Sequence, residues 1–97
     1  MAGNLTPIEH LAQHALLYLQ DNGYSYSSVK RYHKCWKTLL QVCQRECIRY
    51  FCYEQCLPLM LMEWQIDPHA PVSPFQRFQI RSLKGLRDFQ DHGKFFK

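Results

Sequence analysis

The sequence predicts an all-α domain of four helices, on three observations. Apolar residues recur at helical spacing in separate stretches, residues that start and stop helices bracket most of those stretches, and the composition is that of a folded domain. With 97 residues, 46% hydrophobic and 14% aromatic side chains and only four Gly, the chain can build one core but not two, and is too apolar to remain disordered. The expected helices cover about 7–22, 25–47, 53–64 and 74–92 within a single domain spanning 1–97.

The first helix opens at Pro7 behind Thr6 as N-cap, with Glu9 in the turn where the helix dipole favours a negative charge. Ile8, Leu11, Ala12, Ala15, Tyr18 and Leu19 form its apolar stripe, and Asp21-Asn22-Gly23 ends it with a glycine free to adopt a left-handed conformation. Ser25 is the predicted N-cap of the second helix, whose stripe is Val29, Tyr32, Trp36, Leu39, Leu40 and Cys43.

A connector around Ile48 to Phe51 leads to a short third helix. There Pro58 removes a hydrogen bond, so the sequence predicts either a start at Leu57 or a kink. Leu57, Leu59, Met60, Leu61 and Met62 are apolar nearly all round, which predicts a buried element at the centre of the core; an adaptable Met-rich binding surface is the alternative. Asp67 to Pro74 holds three of the five prolines and reads as a loop, after which Ser73 caps the fourth helix. Phe75, Phe78, Ser82, Leu83, Leu86 and Phe89 are its predicted core face. Gly85 costs about 1 kcal/mol relative to Ala in a helix, and implies either a close contact or simple tolerance. The helix ends near His92-Gly93.

Charge is segregated along this chain. All twelve Lys and Arg residues lie in 30–49 and 77–97, and the net charge by segment is −2 for 1–29, +5 for 30–49, −3 for 50–76 and +4 for 77–97, summing to +4. Within the second helix Lys30, Lys34, Lys37 and Gln41 fall in line opposite the apolar stripe, with Arg31 on the flank and the hydroxyls of Ser27 and Ser28 near the helix N-terminus. On the fourth helix Arg77, Arg81 and Lys84 form a second row. Two cationic rows suit a polyanion, because duplex DNA carries a negative charge about every 1.7 Å of its axis. Solvated helix faces without a partner are the plainer account of such rows.

No apolar stretch reaches membrane-spanning length, and Met1 to Asn22 lacks the pattern of a signal peptide. The five Cys (Cys35, Cys43, Cys47, Cys52, Cys56) are odd in number and clustered, which fits a reduced cytosol and a cytoplasmic location. Cys43/Cys47 and Cys52/Cys56 could present paired thiolates, but structural zinc sites more often use tighter pairs on loops, so buried apolar cysteines are expected and no metal or other cofactor. His10 and His14 lack the adjacent Glu of a metalloprotease helix and read as surface residues.

Residues 23–36, Gly23-Tyr24-Ser25-Tyr26-Ser27-Ser28-Val29-Lys30-Arg31-Tyr32-His33-Lys34-Cys35-Trp36, resemble the N-terminal core-binding domain of tyrosine recombinases, the phage integrase family. Phe78, Arg81, Ser82, Leu83, Leu86, Phe89 and Gly93 are similar to that family's closing helix, and the resemblance extends over roughly 5–95. Cys43, where a bulky aromatic is common, and the Cys-rich stretch with Pro58 depart from the family pattern. The resemblance implies a four-helix SAM-like orthogonal bundle that clamps double-stranded DNA at a recombination site, alongside other recombinase protomers, during integration or recombination. Carried over to this chain, it implies DNA contacts from Ser27, Ser28, Lys30, Arg31 and Lys34 on the second helix and from Arg77, Arg81 and Lys84 on the fourth. Lys37, in line with Lys30 and Lys34, is expected at the DNA as part of the same cationic row.

Strand exchange needs a Tyr nucleophile with Arg and His groups around the phosphate, and this chain contains no His-x-x-Arg. No catalytic residue is therefore expected in 1–97, which would be the N-terminal part of a longer recombinase, with no small-molecule substrate and no membrane partner. Two other classes remain open: a helical protein–protein interaction module with an exposed Met-rich groove, and a small DNA-binding regulator, although the short helix-turn-helix of the latter is not apparent.

Overall fold

The computed structural model describes residues 7–95, which form four helices: α1 (Ile8–Asp21), α2 (Tyr26–Arg45), α3 (Tyr53–Glu63) and α4 (Pro74–His92). The described residues contain no strand, only an isolated bridge between Pro7 and Tyr50. The Cα radius of gyration is 13.1 Å, the value expected for a closely packed chain of this length.

Local chemistry accounts for the helix ends. Ser25 Oγ accepts the Ser28 N–H at 3.2 Å, and Ser73 and Gln76 complete a reciprocal capping box with bonds of 3.1 and 2.9 Å. Gly23 (φ 80°) and Gly93 (φ 73°) take the left-handed conformation that follows α1 and ends α4. α1 and α3 start differently, with no side-chain cap at Pro7 or at Cys52. The Ile8 N–H of α1 instead meets the Arg49 carbonyl at 2.9 Å; the expected cap Thr6 lies outside the described residues.

α2 is the spine. Its Trp36 (1% exposed), Leu39 and Val42 pack with Leu19 of α1, Met60 of α3 and Leu83 and Leu86 of α4 in one continuous core. Burying an aliphatic side chain of this size stabilises a fold by about 1.5–3 kcal/mol. An aromatic cluster closes one end: Phe95 lies 5.7 Å from Tyr18, 5.8 Å from Tyr32 and 6.0 Å from both Trp36 and Phe89. A methyl at Gly85 would stand 2.5 Å from the Phe95 ring, so a close contact explains this glycine, made to a side chain beyond the helix end rather than to another helix.

Three expectations need correction. α3 is not the centre of the core: only Cys56 and Met60 of that helix are buried, while Met62 is 77% exposed. A helix apolar all round has no preferred face of its own, and α3 lies on the flank of the spine. It starts at Tyr53, as the expected span of 53–64 has it, and continues through Pro58 rather than starting at Leu57. Phe75 is 61% exposed because it sits at the tip of α4, ahead of the turn where Phe78 first meets α2. Finally, Cys35, Cys43 and Cys56 are buried as expected, but Cys47 and Cys52 are exposed, since both lie in the connector after α2 ends.

Candidate nucleic-acid interface

α2 and α4 carry the charge, and they touch. The Tyr32 and Phe78 rings are 4.9 Å apart, and one turn further along each helix Trp36 Nε1 donates to the Ser82 carbonyl at 3.1 Å. The two helices therefore run in the same direction where they meet. Arg31 and Arg77, the residues before Tyr32 and Phe78, sit at the same end of the pair.

Each predicted contact residue can be placed. Lys30, Arg31, Lys34, Lys37, Arg77, Arg81 and Lys84 are all exposed, as is Ser27, and Ser28 is half-buried. Ser27, Lys30, Arg31 and Lys34 come together around an open hollow of about 380 Å³ on the first two turns of α2. Lys37 diverges from them and borders a cleft shared with Glu9 and Gln13 of α1. Ser28 is partly committed: its N–H and its Oγ both bond Ser25 Oγ, at 3.2 and 3.1 Å. That leaves the N–H groups of Tyr26 and Ser27 pointing out of the helix start, where a phosphate oxygen is favoured.

On α4 the cations occupy one exposed side. Burial raises the Tyr32 hydroxyl above its ordinary 10.0, the neighbouring Tyr24 adds to this, and the positive charge of Arg81 opposes it. A second groove, of about 440 Å³, separates Arg31 and Lys34 from Phe75, Phe78 and Gln79, with Trp64 in its wall.

The electrostatics separate structural cations from free ones. Arg45 pairs with Glu46 (3.6 Å) and Glu63 (3.1 Å), and Arg87 pairs with Asp88 (3.6 Å) while lying 4.6 Å over the Tyr53 ring. Among the described residues, none of the seven Lys and Arg of the two rows has a carboxylate partner. Glu46 at the C-cap of α2, Glu63 of α3 and Asp88 of α4 pair with arginines outside the rows.

Sequence reasoning missed Tyr26, which is 81% exposed in the first turn of α2 and borders the same hollow as Ser27, Lys30 and Arg31. Its place four residues before Lys30, on the same face as the cationic row, was the available signal.

Among the described residues no three His, Cys, Asp or Glu side chains gather in a way that would hold a metal ion, and no helix is long and apolar enough to cross a membrane. Compared with family models, curated proteins and solved structures, the chain matches none of them.

Proposed function

We propose that this domain grips duplex DNA through α2 and α4 and performs no chemistry of its own, serving as the DNA-clamping arm of a site-specific tyrosine recombinase in the cytoplasm. The observation that carries the reading is the set of seven exposed, unpaired cations on two helices locked side by side. The absence of carboxylate partners leaves these charges available to an external anion. They suit a phosphate backbone, whose condensed counterions are released when Lys and Arg replace them. The recombinase context rests on the similarity of residues 23–36 and of α4 to the core-binding domain, together with the four-helix architecture.

Fluorescence anisotropy with a mixed-sequence duplex tests the DNA reading. Neutralising about six phosphates gives a slope of log affinity against log salt near −5. Replacing Arg77, Arg81 and Lys84 together by Ala should leave the helical signal and melting midpoint nearly unchanged, because all three are exposed, while affinity collapses and the slope falls by about 3. Duplex binding that ignores salt, or a triple variant that binds like the parent, would sink the assignment.

A further inference from the structure

Resting on the DNA-binding reading, we infer that Tyr26 is the apolar contact of this interface, laying its ring against a sugar or base edge while the cations around it hold the flanking phosphates. The fold has a use for most of its other tyrosines: Tyr32 is buried, Tyr18 and Tyr24 pack on the core, and Tyr53 lies under Arg87. Tyr26 is the most exposed of the six, at 81% against 40% for Tyr50. Covering so exposed a ring with a partner is favourable in proportion to the apolar area removed from water.

Its surroundings indicate which partner. On one side lies the hollow with Ser27, Lys30, Arg31 and Lys34. On the other is a hollow of about 520 Å³ whose lining includes Leu16, Tyr24, Val29 and His33, with Lys30 bordering both. An aromatic face set among three cations matches the alternation of apolar sugar or base and anionic phosphate along a nucleic-acid strand. An acidic peptide would satisfy the charges but would not require a ring between them. Ser25 caps the first turn of α2, which fixes the backbone that carries the ring.

The test compares wild type with Tyr26→Ala, Tyr26→Phe and Lys30→Ala, using a fluorescein-labelled mixed-sequence duplex across a salt series, with thermal melts to confirm folding. Tyr26→Ala should weaken binding roughly tenfold with the salt slope unchanged, as expected for an aromatic contact. Tyr26→Phe should stay within about twofold of wild type, and Lys30→Ala should lower the slope by about 1. If Lys30→Ala behaves so while Tyr26→Ala binds like wild type, the ring contact is wrong and the DNA reading survives. A loss in Tyr26→Phe equal to that in Tyr26→Ala would make the hydroxyl the contact and overturn the ring assignment, as would a change of slope in Tyr26→Ala. Absence of duplex binding by wild type near 50 mM salt overturns both.

Discussion

Trp36 of α2 donates its indole N–H to the backbone carbonyl of Ser82 in α4, 46 residues away, at 3.1 Å and in the buried core. This bond sets the register between the two cationic helices, and the aromatic contact of Tyr32 with Phe78 reinforces it one turn earlier.

Trp36→Phe keeps an aromatic ring but removes the donor and part of the volume. A lost buried hydrogen bond with a partial cavity costs about 1–3 kcal/mol. Urea unfolding should show that loss. A variant as stable as wild type would mean the bond does not hold α2 and α4 in register.

Ser25→Ala removes the side chain that receives the Ser28 N–H. Loss of such a cap costs about 1 kcal/mol. The first turn of α2 carries Ser27, Lys30 and Arg31, so duplex affinity should fall together with the melting midpoint, measured in parallel by anisotropy and circular dichroism. Unchanged affinity in a destabilised variant would argue that the first turn is not at the DNA.

Gly85→Ala should destabilise the wild-type chain, because the new methyl meets the Phe95 ring at 2.5 Å and displaces it from Tyr18, Tyr32 and Trp36. In a Phe95→Ala background the same change should instead stabilise by about 1 kcal/mol, the helix propensity gained over glycine. Measuring both by urea unfolding gives a reversal of sign; the same sign in both backgrounds would refute the contact.

Stability should fall at alkaline pH. Burial raises the Cys35 thiol above its ordinary 9.0, opposed by a hydrogen bond with Ser82 and by Lys34, and burial likewise raises Tyr32 and Tyr53 above 10.0. Cys43 is raised as well, by its hydrogen bond to Cys56 and by desolvation. These groups are neutral when protonated, and the unfolded chain releases their protons first. Their contribution is therefore complete below about pH 9 and drains away as pH rises through the folded values. Cys56 has the opposite sign: the hydrogen bond from Cys43 lowers it to about 7, so its contribution is complete above pH 9 and adds no slope there. The urea midpoint should drop between about pH 9 and 10.5, and Tyr32→Phe should flatten the part above 10. A flat wild-type profile would contradict the burial of these groups.

The helices were legible because their signals are local. Ser25, Ser73, Gly23 and Gly93 act on backbone groups within a few residues, so Ser25 and Ser73 cap, and Gly23 and Gly93 turn, where the sequence predicts. Both cationic rows were legible for the same reason: residues three and four apart share a helix face whatever the helix packs against. α3 shows the limit. Leu57 to Met62 offer apolar side chains in every direction, and the burial of Cys56 and Met60 with the exposure of Met62 follows from where α2 and α4 happen to lie.

Spacing along the chain thus specified four helices and the cationic side of two of them, because capping and helical periodicity are short-range. Tertiary packing alone decided that those two helices lie in register through Trp36 and Ser82, that Phe95 folds back over Gly85, and that Phe75 and Met62 face water. Each of these depends on which surfaces meet after the chain closes on itself, and nearest-neighbour spacing carries no record of that.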